Sequence, residues 1–322
     1  MNWIQPLEQW IEEADRVLVV SHIHPDGDAI SSTLAMGTML QAMGKQVVMV
    51  NESPLPKKFA FLPGADEVKQ VHEVSETFER VVALDCADRA RMGACCELIA
   101  PGASVVNIDH HATNDSFGTM NIVQPQAAAT AEILYDWIDQ SRVGWNEKLA
   151  THIYTGLLTD TGGFRYSNTS PKVLRQAAKL VEMGISFHQI ADQVLETVTL
   201  PQLRLLKAAL GTLQQTDDGL VAWMKLAKAD IANASHDDLD GIVNYARNIL
   251  GVDVGILFRE EQPQTVKVSL RSREIVDVGR VAKQFGGGGH ARAAGCTVQG
   301  TIAEAEASVL AEIRSQLRSE AR

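Results

Sequence analysis

The sequence is poor in several things at once. Aromatic residues make up 5% of its 322 positions, too few for the stacking platforms on which proteins seat an extended single strand. Positive charge is short as well: 29 lysines and arginines face 40 aspartates and glutamates, a formal net charge of −11. Proteins that coat long nucleic acid neutralise many phosphates with a broad basic surface. No long nucleic-acid track is therefore expected, whereas a short anion gripped locally remains compatible with the charge. There are four cysteines, Cys86, Cys95, Cys96 and Cys296. They form no CxxC pair and no zinc-ligand spacing, so they read as reduced thiols of a cytosolic protein, with the adjacent Cys95 and Cys96 as packing residues. No stretch reaches the ~18 consecutive apolar residues of a membrane span. The opening "MNWIQPLEQWIEEADR" is acidic where a signal peptide would be basic. A soluble, cytoplasmic protein with no membrane partner is expected.

What is present is apolar material in ordered patterns. The chain is 45% hydrophobic and 21% charged, as in globular proteins, and its length allows roughly two domains. Trp3, Leu7, Trp10 and Ile11 fall at helical spacing. That face is available to its own domain or to a second subunit, which leaves a homodimer open. In the first half, short β-branched runs (16–20, 45–50, 80–85 and 103–109) alternate with helical patterns, as in an α/β domain with a mostly parallel sheet flanked by helices. Helices are expected over 127–140, 146–162 and 170–184, the last capped by Ser170, opened by Pro171 and closed by Gly184. This first domain spans 1–185. A helical connector follows at 186–213. A smaller α/β domain with a mixed sheet occupies 214–322, with strands at 219–226, 252–260 and 265–272, a helix around 236–250 and a glycine run at 286–289.

Chemistry gathers at the strand ends. "VLVVS" runs into His22, Asp26 and Asp28; "VVAL" into Asp85; "VVNI" into Asp109, His110 and His111; the helical "YTGLLT" into Asp160. In open α/β sheets the crevice at the carboxyl ends of the strands is where ligands bind. Carboxylates gathered there repel one another and raise their own pKa values, and a divalent cation relieves that. Imidazole plus carboxylate suits Mn²⁺ or Fe²⁺. About six ligands exceed what one tetrahedral ion uses. Two ions ~4 Å apart, sharing a carboxylate, suit phosphoryl chemistry, acidifying a water and neutralising the phosphate. Each cluster alone has an ordinary explanation: "PDGD" is a common turn, Asp85 can cap a helix and Asp160 can cap a turn. Their joint occurrence at strand ends is what points to a site.

These motifs, "SHIHPDGDAISS", "ALDCAD", "NIDHHATN" and "TGLLTDTGGFRYSNTS", together with "GGGGHARAAG" at 286–295, resemble the DHH phosphoesterase superfamily with its C-terminal DHHA1 domain. Length and layout resemble the branch of bifunctional nanoRNases (oligoribonucleases) and pAp phosphatases. The resemblance implies a DHH catalytic domain, a DHHA1 substrate-binding domain and two Mn²⁺ ions per subunit, other divalent metals being usable. His22 and Asp26 would hold one ion, and Asp28, His110 and Asp160 the other. Asp85 would bridge both, His111 would face the scissile phosphate, and Asp109 would orient the histidines. His24 has no assigned role. Partners would be short oligonucleotides, about two to five nucleotides long if the substrate bridges two fixed points, and nucleotide bisphosphates such as adenosine 3′,5′-bisphosphate, bound in the cleft between the domains. In the second domain, glycine N–H groups can line an anion nest, so Gly287, Gly288, Gly289, His290 and Arg292 are expected to bind substrate beside Arg271, a phosphate fork.

Other residues read as scaffold. His72, His152, His188 and His236 are expected in the core or on the surface. Arg273, Arg280 and Lys283 are expected as surface charges, and Trp3, Trp10, Trp137 and Trp145 as helix packing. Phe164, Arg165 and Tyr166 are open between substrate contact and packing. Two rival functions share the motifs: a phosphodiesterase of linear or cyclic dinucleotides in signalling, and a catalytically silent nucleotide-binding regulator. The second should have lost a ligand, and every expected ligand is present.

Overall fold

Val17, Leu18, Val19 and Val20 are buried on both sides of a sheet in the computed structural model, which describes residues 3–232, 234–239 and 241–320. Val17 and Val19 face one apolar core, and Leu18 and Val20 face another. That two-sided burial is why the run is unbroken rather than alternating. The chain divides into two units, Met1–Thr197 and Val198–Arg322.

In the first unit, α1 (Ile4–Glu12) precedes β1 (Arg16–Ser21), α2 (Gly27–Ala42), β2 (Gln46–Asn51), β3 (Lys69–Gln70), β4 (Phe78–Leu84), β5 (Ile99–Asp109) and β6 (Met120–Val123). The helices α3 (Thr130–Ile138), α4 (Glu147–Asp160), α5 (Pro171–Glu182) and α6 (Phe187–Ala191) complete it. The strands form one six-stranded sheet in the order β3-β2-β1-β4-β5-β6, and its pairs are parallel. The chain direction across the sheet reverses between β1 and β4, the switch point at which a crevice opens. One face of the sheet packs on α2, α3 and α4; the other carries Cys86, Met92, Cys95 and Leu98 from the turn-rich stretch after β4. The apolar face of α1 packs into its own unit through Ile4, Leu7, Trp10 and Ile11. Gly27 and Gly156 let α2 and α4 meet closely: a Cβ on Gly27 would stand 2.2 Å from Thr159 Cγ2, and one on Gly156 would stand 2.8 Å from Asp28 Oδ1.

The second unit holds α7 (Leu200–Leu210), β7 (Gln214–Gln215), β8 (Val221–Leu226), α8 (Lys228–Ile231), α9 (His236–Leu239), α10 (Ile242–Arg247), β9 (Val254–Gln262), β10 (Thr265–Ser272), α11 (Val278–Gln284), β11 (Gly288–His290), β12 (Ala293–Gln299) and α12 (Ile302–Glu320). Its sheet runs β11-β12-β10-β9-β8-β7 and is mixed, since β8 and β9 pair parallel while the other pairs are antiparallel. Alternate residues of β10 explain its register: Val266, Val268 and Leu270 enter a core with α11 and α12, leaving Lys267, Ser269 and Arg271 on the opposite face.

Several elements differ from the pattern read in the sequence. The helix expected at 127–140 begins only at Thr130, because Ala129 is extended. The helix expected around 236–250 is broken into α9 and α10, with Gly241 at φ +75° between them. The segment 186–213 is shared: α6 belongs to the first unit and α7 to the second. No helix among the described residues is long and apolar enough to cross a membrane. The His236 side chain lies outside the described ones.

His152 sits in the core on α4, and neither ring nitrogen has a hydrogen-bond partner. Burial, helped by Lys148, pushes its pKa down to about 3. The folded value lies below that of the unfolded chain, so the unfolded chain binds more protons as the solution is acidified. The stability this neutral ring permits is present above about pH 6.5 and drains away as pH falls towards the folded value. His152→Leu should therefore raise stability at neutral pH by about 1–3 kcal/mol. It should also flatten the fall in urea midpoint between about pH 7 and about pH 4. An unchanged slope would show that acid sensitivity arises elsewhere.

Candidate metal centre

The site is built at the carboxyl ends of β1, β4 and β5, on either side of the switch point. His22 follows β1, Asp85 follows β4, and Asp109 ends β5 with His110 and His111 after it. Asp26 caps α2, its Oδ1 accepting from the N–H groups of Asp28 and Ala29 at 3.1 Å each. That cap is the ordinary role such a turn predicts, and it leaves the second oxygen out of the cap. Asp28 lies in the first turn of α2, and Asp160 is the last residue of α4.

Asp85 stands at the centre. Its Oδ2 is 3.4 Å from His22 Nε2, and its Oδ1 is 3.4 Å from His110 Nε2 and 3.6 Å from His111 Nδ1. His110 Nε2 is also 3.3 Å from Asp160 Oδ2. The other ring nitrogens of His22 and His110 face backbone carbonyls, Ile23 O at 2.8 Å and Ala127 O at 3.4 Å. Each ring is thus oriented from behind with Nε2 towards the carboxylates, as metal-ligating imidazoles are. Donor atoms of His22, Asp26 and Asp85 lie within 4.8 Å of one another, as do those of Asp28, His110 and Asp160, and those of Asp85, His110 and His111.

The charges are strongly coupled. Burial alone would raise the Asp85 pKa, but His110 and His22 hold it well below the usual carboxylate range. In return, although burial opposes it, Asp85 and Asp26 raise His22 to about 9, and Asp85, Asp160 and Asp28 raise His110 to about 11. Burial and the Asp85 charge push Asp28 up to about 7, and burial with Asp28 and Asp26 pushes Asp160 well up. Such a crowd of carboxylates is held together by protonated imidazoles, a task a divalent cation performs with the rings neutral. The donor set fits such an ion.

Several residues that hold this site were not singled out in the sequence. Thr130 Oγ1 donates to Asp85 Oδ1 at 3.0 Å. The N–H groups of Thr130 and Ala131, at the start of α3, donate to Asp28 at 2.6 and 3.0 Å. Asn51 donates to His22 O at 2.9 Å, and Asn168 donates to Asp160 O at 3.1 Å. These partners are 8 to 103 residues apart, so no local spacing announces them. Asp85 itself has φ +57°, a left-handed conformation that aspartate tolerates better than most residues. Asp109 is buried and accepts from His111 Nδ1 at 2.7 Å, which turns the other ring nitrogen, Nε2, away from Asp109. Phe164 packs edge-on against Tyr154, with centroids 5.9 Å apart, and Arg165 Nε donates to Gly162 O at 2.6 Å. His24 has φ +53°, and its N–H donates to Ser53 Oγ at 2.9 Å.

In the second unit, cross-strand register lines up Arg271, Ala293 and His290 on adjacent strands. Two residues far apart in sequence thereby flank a small one. The glycine run ends in an edge strand, with Gly288, Gly289 and His290 paired to Gly295, Ala294 and Ala293. A Cβ on Gly287 would stand 2.2 Å from Gly295 O, and one on Gly289 would stand 2.5 Å from Ala293 O, so close backbone approach already requires these two glycines. Arg292 Nη1 donates to Val276 O at 2.9 Å.

The DHH family, N-terminal domain, matches residues 16–157, and the DHHA1 domain matches residues 223–319. A Thermus thermophilus protein named "Bifunctional oligoribonuclease and PAP phosphatase NrnA" is 36% identical over 302 residues, covering 94% of this chain and 90% of its own. A Bacillus subtilis protein of the same name is 27% identical, covering 88% of this chain and 90% of its own. Among solved structures, an exopolyphosphatase-related protein from Bacteroides fragilis superposes with a TM-score of 0.89 at 27% identity, covering 99% of this chain and 97% of that one.

Proposed function

Because the chain belongs to the DHH family and carries a DHHA1 domain behind its DHH domain, we propose that it is a manganese-dependent phosphoesterase with two kinds of substrate. These are short oligonucleotides, about two to five nucleotides long, which it cuts to mononucleotides, and adenosine 3′,5′-bisphosphate, which it converts to AMP and phosphate. The observation that carries the reading is Asp85, a buried carboxylate that groups with His22 and Asp26 on one side and with His110 and His111 on the other. The names of the relatives support the two substrates.

In this reading His22, Asp26 and Asp85 would hold one divalent ion, and Asp28, Asp85, His110 and Asp160 a second. When bound, the ions acidify water and neutralise charge on a phosphate. The protein's own groups do the rest. Asp85 and Thr130 fix the centre of the site. His111, its Nδ1 committed to Asp109, presents Nε2 to the scissile phosphate as proton donor or charge partner. Arg271 and His290 would bind phosphate on the second unit's sheet, with Gly287, Gly288, Gly289 and Arg292 shaping the strand beside them.

The test is turnover by protein loaded with Mn²⁺ on three substrates: a 5′-phosphorylated dinucleotide, adenosine 3′,5′-bisphosphate and a single strand of about 24 nucleotides. The first two should be cleaved readily and the long strand poorly, in keeping with the net charge of −11. Preference for the long strand would overturn the short-substrate reading, and no turnover of any of the three would leave a nucleotide-binding regulator.

A further inference from the structure

We propose that Asn114 is a positioning residue for this chemistry: it sets His111 through Asp109 and ties that pair to the turn that carries Asp85. The proposal rests on the phosphoesterase reading above for its kinetic consequence. Its structural content stands on hydrogen bonds alone.

Asp109 is fully buried, and both its oxygens are used. Oδ1 accepts from His110 N at 2.9 Å and His111 Nδ1 at 2.7 Å; Oδ2 accepts from Asn114 Nδ2 at 2.7 Å. The same Asn114 nitrogen lies 2.8 Å from Asn107 Oδ1 and 3.0 Å from Cys86 O, so its two protons are shared among three acceptors. Asn107, also fully buried, donates to Cys86 O at 3.2 Å and to Ala83 O at 3.3 Å. The orientation of Asn114 is determined by its surroundings, because its Oδ1 accepts from Ser116 N at 2.7 Å. A flipped amide would set oxygen against three acceptors.

The two asparagines therefore grip the backbone on both sides of Asp85, at Ala83 and at Cys86, and Asp85 holds φ +57° between them. A non-glycine residue in that region persists only where its surroundings over-determine it. The His111 ring and the Asp85 carboxylate are thus referenced to one rigid network, although they come from different strands. Loss of the Asn114 donor leaves a buried carboxylate oxygen of Asp109 without a partner. Asp109 is then free to turn, and His111 loses the fixed direction of its Nδ1 bond.

Three variants test this: Asn114→Ala, the isosteric Asn114→Asp, and Asn121→Ala as a loop control. Asn121 also braces this loop, bonding Gly118 N at 2.9 Å and donating to Ser116 O at 3.2 Å and Gly118 O at 2.8 Å. None of those bonds reaches Asp109. For Asn114→Ala, kcat on the dinucleotide should fall about 10–100-fold, with KM and Mn²⁺ stoichiometry unchanged. Asn114→Asp keeps the Ser116 bond but sets oxygen against Asp109, so it should lose at least as much, and thermal melting of both variants identifies any failure to fold. A second readout needs neither metal nor turnover. In metal-free protein the hydrogen-bonded Nδ1 proton of His111 should give an exchange-protected downfield proton resonance, present in wild type and Asn121→Ala and lost in both Asn114 variants. If the resonance and kcat survive in Asn114→Asp, or if Asn121→Ala loses both equally, the positioning role is overturned. Wild-type protein inactive on the dinucleotide while the resonance still depends on Asn114 would instead overturn the substrate reading and leave the network standing.

Discussion

Asp85→Asn should leave a folded protein with kcat/KM reduced by more than about 100-fold on both short substrates, beyond the loss expected from removing a partner behind a ligand. Asp85 is the carboxylate that His22, His110 and His111 all face, and Thr130 bonds it from the start of α3. The amide keeps the shape and the tolerance of a left-handed backbone but removes the charge that raises His22 and His110. Asp85→Ala should be equally inactive and less stable by about a further 1 kcal/mol, because alanine pays the left-handed penalty that asparagine largely avoids. Metal uptake followed by titration should weaken in both variants. Activity retained by Asp85→Asn would remove Asp85 from the centre of the mechanism, and with it the main support for the proposed function.

Removing divalent metal with a chelator should abolish turnover, and restoring Mn²⁺ should release protons. His22 and His110, raised to about 9 and about 11 in the metal-free protein, are protonated near neutral pH. An ion that needs their Nε2 lone pairs must displace about two protons from the rings, and further protons from Asp28 and Asp160, whose carboxyls are raised as well. Metal affinity should accordingly fall as pH falls. Without metal the sign for stability is the opposite. The folded values exceed the unfolded value, so the contribution of these histidines is complete below about pH 6.5 and is lost as pH rises through about 9 and then about 11. The metal-free protein should soften in alkali while the loaded one does not. At a free Mn²⁺ concentration 100-fold above Kd, linkage adds about 2.7 kcal/mol. For a unit of this size that raises Tm on the order of 5–10 °C. Calorimetry in two buffers of different ionisation enthalpy reads the proton count directly. No proton release, or a Tm indifferent to Mn²⁺, would sink the assignment of these histidines as ligands.

Much of the site was legible because each part of it interrupts a strong local pattern. A parallel strand buried on both faces must be apolar throughout, so the polar residues that end "VLVV", "VVAL" and "VVNI" stand out and mark the edge of the sheet where a crevice forms. In the second unit β9 begins as a buried apolar run of the same kind, whereas β10 shows the period-two alternation of a half-buried antiparallel strand. Short elements escaped both patterns. β3 has two residues and β6 four, too few for any periodicity, and each exists only because a longer neighbour offers it hydrogen bonds. The glycine run was legible as special but not for its full reason. Gly287 and Gly289 answer to the nearness of β12, which no local spacing reveals.

The amino-acid sequence by itself determined which side chains could do chemistry here and on which strand ends they would stand, because burial and periodicity are local properties of a run. Only the tertiary structure decided how those side chains point. The left-handed turn at Asp85, the capping of α3 by Asp28, the grip of Asn107 and Asn114 on Cys86 O, and the row formed by Arg271, Ala293 and His290 all depend on segments that only the folded chain brings together. Hydrogen bonds are directional and short-ranged, so their partners are fixed only once strands and helices have taken their places.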